Sequence, residues 1–344
     1  MSRFFEFISA AMRRLALDTF TILIMVLVVL ASFLPASGAT AVALGHVTTF
    51  AIGLLFFLHG AKLSREALVA GLTHWRLHLL VLASTFVMFP LLGLALKPLA
   101  LSLLTPDLYL GILFLCALPS TVQSSIAFTA VARGNVAAAV CSASASNFLG
   151  IFLTPALVGV LVMHGASSSS SLDSIVAIVE QLLLPFMAGQ LLRPHIGAWV
   201  DRHKPVLRYV DQGSILLVVY TAFSESVNQG LWRQVSLTTL VHLGAISCLM
   251  LAVALGVSTF ASRKLGFNKE DEIVIVFCGS KKSLASGVPM AKVLFAPGAL
   301  GMIILPLMLF HQIQLMVCAV LAQRWARRPD TVAVANDARE QLKS

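Results

Sequence analysis

Charge is scarce in this chain. Only 11% of its residues are Asp, Glu, Lys or Arg, against roughly a quarter in soluble domains, which excludes an ordinary water-soluble fold. Cysteine is equally sparse: Cys116, Cys141, Cys248, Cys278 and Cys318 all fall inside apolar runs and none forms a CxxC pair. Neither a zinc site nor a disulfide framework is indicated. The chain contains no GxSxG and no HExxH, so the motifs that would mark an embedded hydrolase or metalloprotease are missing, and no enzyme is expected. The net charge of +9 does not indicate nucleic acid either. The basic residues lie between apolar runs rather than in one stripe, and stacking aromatics do not interleave with them.

What is present is apolar surface. The 344 residues are 58% hydrophobic, with a mean hydropathy of +0.91. A membrane span needs about 20 apolar residues, so a chain of this length with short loops holds about ten. Arg13 and Arg14 precede an apolar run from Leu15 to Ala36, longer than a signal peptide's and followed by further spans. It reads as a retained first helix. The expected spans are 17–36, 43–62, 75–96, 108–131, 136–163, 174–192, 207–227, 239–262, 271–295 and 300–325. The fourth is interrupted at Pro119 and the ninth at Gly279, so hydropathy supports these two less than the other eight. With the N-terminus inside, 19 Lys and Arg fall on the inner side and three (Lys97, Arg233, Lys292) on the outer. This positive-inside bias sets the expectation of a multi-pass protein of a bacterial-type inner membrane with both termini cytoplasmic.

A serine run, Ser167 to Ser171, makes residues 164–173 a flexible connector. It splits the chain into a first five-helix repeat, 15–163, a second, 174–325, and a polar tail, 326–344. An odd number of spans per half forces opposite orientations, the inverted-repeat plan of many transporters. A short echo supports the split: Gln123-Ser124-Ser125-Ile126-Ala127 in the fourth span, Lys281-Lys282-Ser283-Leu284-Ala285 in the ninth.

Those polar interruptions are the candidate site. Pro119 removes a backbone donor and is followed by Ser120, Thr121, Gln123, Ser124 and Ser125; Gly279 permits unwinding and is followed by Ser280, Lys281, Lys282 and Ser283. Paired broken helices at matching places point to a transporter's binding site. The alternative is a simple proline kink with serines bonded back to the previous turn. A lysine at the bilayer centre costs about 2.5–3.5 kcal/mol on insertion scales, so two adjacent ones need compensation or a wet cavity. The alternative there is a shallower helix whose lysines reach the interface. The Gly-Ser-Lys-Lys-Ser run is no phosphate-binding loop, because the first glycine and the preceding strand are missing. Asn147, with Ser142, Ser144 and Ser146, lies in the middle of the fifth span, and His311, Gln312 and Gln314 lie in the middle of the tenth. Packing and ligand binding are both open to them. Glu180 in the sixth span is a coupling candidate alongside Lys281.

At these residues the chain resembles the bile acid:sodium symporter superfamily, in particular the solute carrier family 10 member 7-like branch. The resemblance covers nearly the whole chain. It is most specific at Leu118-Pro119-Ser120-Thr121-Val122-Gln123-Ser124-Ser125, at Gly134-Asn135, at Thr154-Pro155 and at Phe277-Cys278-Gly279-Ser280-Lys281-Lys282-Ser283. It implies an all-helical membrane fold of ten helices in two inverted repeats. Helices 4 and 9 would cross in a core, and helices 1, 2, 6 and 7 would form a panel. Sodium-coupled members of the family carry Asn beside Ser in helix 4, and Glu and Gln in helix 9. Here Ser125 matches the Ser, Ile126 replaces the Asn, Phe277 the Glu and Lys281 the Gln. Three oxygen ligands are lost and a lysine is gained, which argues against sodium as a cofactor. The expected function is secondary transport of a small organic anion within the lipid bilayer, with no nucleic-acid partner. The alternative is a regulatory membrane protein that transports nothing and acts through partners.

Overall fold

The computed structural model describes residues 19–62, 74–162 and 179–328. The serine-rich connector 164–173, the first residues of the expected sixth span, residues 329–344 of the tail and the basic residues Arg3, Arg13, Arg14 and Arg65 lie outside them. Every regular element among the described residues is helical. We number them α1 (Thr19–Phe33), α2 (Gly38–Lys62), α3 (Trp75–Ala95), α4 (Pro106–Ala117), α5 (Gln123–Val131), α6 (Val136–Val162), α7 (Leu184–Arg202), α8 (Lys204–Asn228), α9 (Leu237–Lys264), α10 (Lys269–Gly279), α11 (Leu284–Leu294) and α12 (Leu300–Ala326).

Among the described residues, six helical stretches are long and apolar enough to cross a membrane: α2, α3, α6, α9, α10 with α11, and α12. The others fall short for local reasons. α4 and α5 are short because the chain is interrupted between them. α7 and α8 carry Arg193, Asp201 and Arg202, and Lys204, Arg208 and Asp211. Two expected ends are corrected here. The sixth helix does not stop at Leu192 but runs through Pro194 to Arg202. The next begins at Lys204 rather than Leu207, with Pro205 in its first turn, where the missing N–H has no intrahelical partner to lose.

α1, α2, α7 and α8 pack together as one layer, while α8 also meets α11 and α12. α2 and α7 touch backbone to backbone. A Cβ on Gly60 would lie 2.1 Å from the Phe186 carbonyl oxygen, and one on Gly189 would lie 2.0 Å from that of Phe57. In lipid, where apolar surface gains nothing by leaving water, small residues of this kind bring helices together. On the other side, α10 and α11 form the most enclosed span, with 94% of its apolar window buried in protein. It is walled by α3, α5, α6, α9 and α12. Gly150 of α6 faces the Pro119 ring, with room for a Cβ only 2.6 Å from it, so the break between α4 and α5 is seated in a notch of α6.

Gly60→Val and Gly189→Val are expected to lower thermal stability in detergent by about 1–3 kcal/mol or more, the usual cost of overpacking. Gly256→Ala, with open space around its Cβ position, should be neutral or slightly stabilising. Thermal unfolding of the three variants checks the contrast.

Candidate functional site

α4 ends where the sequence requires it. A residue preceding proline is pushed out of the α region, and Leu118 is extended, with φ −74° and ψ 153°. The chain stays non-helical until Gln123 opens α5. α10 ends at Gly279, and the chain restarts as α11 after Ser283, whose side chain accepts from the Ser286 N–H. Gly279 is not in the left-handed region. Its lack of a side chain admits α3 instead, since a Cβ would stand 3.0 Å from Cβ of Ser84.

The freed backbone groups have identifiable partners. Ser283 N–H donates to the Pro119 carbonyl at 2.9 Å, tying the two breaks together. Ser120 Oγ donates to the Cys278 carbonyl at 2.6 Å, and Ser125 Oγ to that of Phe277 at 3.2 Å. The helix following each break supplies further partners. Ser120 N–H donates to Ser146 Oγ at 3.0 Å, and Thr154 Oγ1 donates to the Ala117 carbonyl at 2.9 Å. Gln314 holds Lys282 at both ends of its peptide, accepting from N–H at 2.8 Å and donating to the carbonyl at 2.9 Å. His311 stands 2.8 Å from the Gln314 amide nitrogen and 3.3 Å from the same carbonyl.

The two lysines diverge. Lys282 is fully buried, and its Nζ donates to the carbonyls of Thr85, Cys116 and Leu118. Lys281 is also fully buried, but its Nζ has no hydrogen-bond partner among the described residues. It stands 4.0 Å from the centre of the Phe128 ring and 5.2 Å from that of Phe277. An ammonium on an aromatic face is attracted to the ring's negative charge.

Two cavities that share lining residues open between the breaks and the α1–α2–α7–α8 layer. The first, about 330 Å³, is lined on one side by Thr121 to Ser124, Asn147, Ser283 to Ser286 and His311. On the other side it meets His59, Arg208, Asp211, Gln212 and Ile215. The second, about 720 Å³, adds Lys62, Ser144, Arg193, Asp201 and Lys204. The basic residues of this mouth are mostly paired: Lys62 with Asp211, Lys204 with Asp201 at 2.9 Å, and Arg193 with Asp201 at 3.6 Å. Arg208 lines both cavities and has no ion pair or hydrogen bond among the described residues. The first turns of α5 and α11 border the first cavity, so the positive ends of two half-helices face it.

Of the candidates, Thr121, Gln123, Ser124, Asn147, Ser283 and His311 line the first cavity. Ser120, Ser125, Ser280, Lys281 and Lys282 are sealed behind it and line neither cavity. Their polar groups serve the breaks, apart from the Lys281 ammonium against its rings. Glu180 is exposed and lines neither cavity, away from both breaks. Sequence reasoning missed the opposite wall. Arg208, Asp211, Gln212 and Ile215 stand at i, i+3, i+4 and i+7, one helical stripe. Reading α8 as a helix from Leu207 with Arg208 as a border charge hid that stripe.

A model of the SBF-like CPA transporter family matches residues 18–327. An uncharacterized protein of Pseudomonas aeruginosa is 68% identical over 318 residues, covering 92% of this chain and 96% of its own length. YfeH of Escherichia coli K12, named as a symporter, is 57% identical over 317 residues, covering 91% and 94%. Sodium/bile acid cotransporter 7 of Rattus norvegicus is 32% identical over 279 residues, covering 80% and 82%.

Gln314→Leu strands the buried N–H and carbonyl of Lys282. Each unsatisfied buried group costs about 1–3 kcal/mol, so this variant should unfold at clearly lower temperature than wild type. Gln312→Leu, whose amide nitrogen has no partner to lose, should not. Melting curves of the two purified variants make the comparison.

Proposed function

Because the chain belongs to the SBF-like CPA transporter family, within the bile acid:sodium symporter superfamily, we propose that it is a secondary transporter that carries a small organic anion by alternating access. The observation that carries this reading is the first cavity. The N-terminal ends of two half-helices border it on one side, and the unpaired Arg208 stands on the other. Helix N-termini and a guanidinium both favour negative charge, and arginine matches a carboxylate with two parallel hydrogen bonds. A volume near 330 Å³ is at the small end of ligand pockets. The anion would bridge two bodies, the broken helices and the layer of α1, α2, α7 and α8, and their relative motion would switch access.

The same reading takes the chain as ten spans in two inverted repeats, residues 15–163 and 174–325, with both termini on the cytoplasmic side of an inner membrane. The anchoring of each break by the span that follows it, Ser146 for the first and Gln314 for the second, supports it. So does the crossing of the two breaks. Sodium is not the coupling ion at the positions its relatives use. Ile126 and Phe277 offer no side-chain oxygen there, and Lys281 brings a positive charge.

Uptake into proteoliposomes of a panel of radiolabelled C3 to C6 mono- and dicarboxylates tests the function. Wild type should accumulate at least one, equally well with sodium or with potassium outside. Losing a charge-assisted contact of about 1.5–3 kcal/mol should cut that uptake by about ten- to a hundredfold in Arg208→Gln, and less in Arg208→Lys. No accumulation, or full uptake by Arg208→Gln, rules the reading out. Topology has its own check in a Cys248→Ser background, which removes the exposed cysteine. A cysteine replacing Ser169 should react with a membrane-impermeant maleimide in intact cells, and one replacing Ser344 only after permeabilisation. Labelling of both positions on the same side rejects the inverted repeat, and the opposite pattern rejects the cytoplasmic placement of the termini.

A further inference from the structure

The Lys282 ammonium occupies a position built from backbone oxygen alone. Its three acceptors are the carbonyls of Leu118 at 2.7 Å, Thr85 at 2.8 Å and Cys116 at 2.9 Å. The Phe89 ring lies beneath it, 4.3 Å from Nζ to the ring centre. The side chain is 0% exposed and forms no ion pair with any carboxylate among the described residues.

The Cys116 carbonyl is one of the orphaned ends of α4, and Leu118 is the residue that caps that helix. A helix leaves its last carbonyls without intrahelical donors, and their dipoles sum to partial negative charge there. The third comes from the Ser84–Met88 stretch of α3, which winds as a π-helix. Such single π turns inside α-helices are frequent at functional sites. Carbonyls at the C-terminal ends of broken helices are the ligands with which membrane transporters hold free cations. Here the ring of oxygens is filled from within the chain.

We propose that the carbonyls of Thr85, Cys116 and Leu118 form a monovalent-cation site, and that the Lys282 ammonium is its permanently tethered occupant. The ammonium supplies the positive charge that holds the end of α4 against α3 and the second break, so the broken core assembles without a free ion. Remove the tether while leaving space, and the site should take a small free cation. The inference concerns the assembly of the core and stands whether or not the chain carries an anion.

The test is chemical rescue. Purified Lys282→Ala should melt at least about 5 °C below wild type in choline chloride, a cation too large for the space. Potassium, sodium or methylammonium chloride at the same ionic strength should recover half or more of that loss. Lys282→Met fills the space without charge. It should be destabilised too, and no cation should rescue it. The proposal is overturned if Lys282→Met is as stable as wild type, or if Lys282→Ala is rescued by none of the three cations or equally by choline. If Lys282→Ala is recovered from cells only when grown and purified with one of the small cations, the site is confirmed. If it is recovered in none of them while Lys282→Met is produced normally, the site is refuted.

Discussion

A peptide group freed from a helix inside a membrane has no water to turn to, and each such group left alone costs several kcal/mol. Two interrupted helices at depth therefore need a closed set of partners, and much of the surrounding structure provides it. Each break satisfies part of the other through Ser283 N–H to Pro119 and Ser120 Oγ to Cys278. Ser146, Thr154 and Gln314 come from the helices that follow. Because each interruption satisfies part of the other, the pair is one connected unit rather than two local irregularities.

The crossing also sorts charge. The two half-helix ends that carry partial positive charge border the cavity, where a ligand can meet them. The opposite ends face inward, where hydroxyls and the Lys282 ammonium answer their carbonyls. Sequence alone placed both lysines at the site. It did not say which face of the break would look at the cavity. The structure turns both away from it. One lysine caps α4, and the other lies on aromatic faces with its own charge unanswered by any hydrogen bond.

Local chemistry made some features legible and hid others. The end of α4 was readable because Leu118 precedes a proline, and the second break because two lysines cannot sit idly in a bilayer. That the two broken helices would cross was implied by the family resemblance and not by any local pattern. Gly279 was read as a residue that permits unwinding, and α10 does end there, but it is also a gap for α3, since the approach of another helix leaves no mark in local sequence. The far wall of the cavity was hidden for a related reason. Arg208 and Asp211 look like border charges until the partner helices show which way their stripe faces. Glu180 stood out as an intramembrane acid, but chemical type does not tell whether a helix turns a residue inward, and this one is exposed.

The packing of Gly60 on the backbone at Phe186 and of Gly189 on the backbone at Phe57 has a mechanical consequence. Two helices separated by side chains can slide, because rotamers yield and re-form as one ridge passes another. α2 and α7 meet with carbonyl oxygens where Cβ atoms would be, and nothing compliant lies between them. Sliding would drive backbone into backbone, so the pair resists shear as a laminate does. Deformation in this molecule is then directed to the seam that is already hollow, where α2 and α8 face the broken helices across the two cavities.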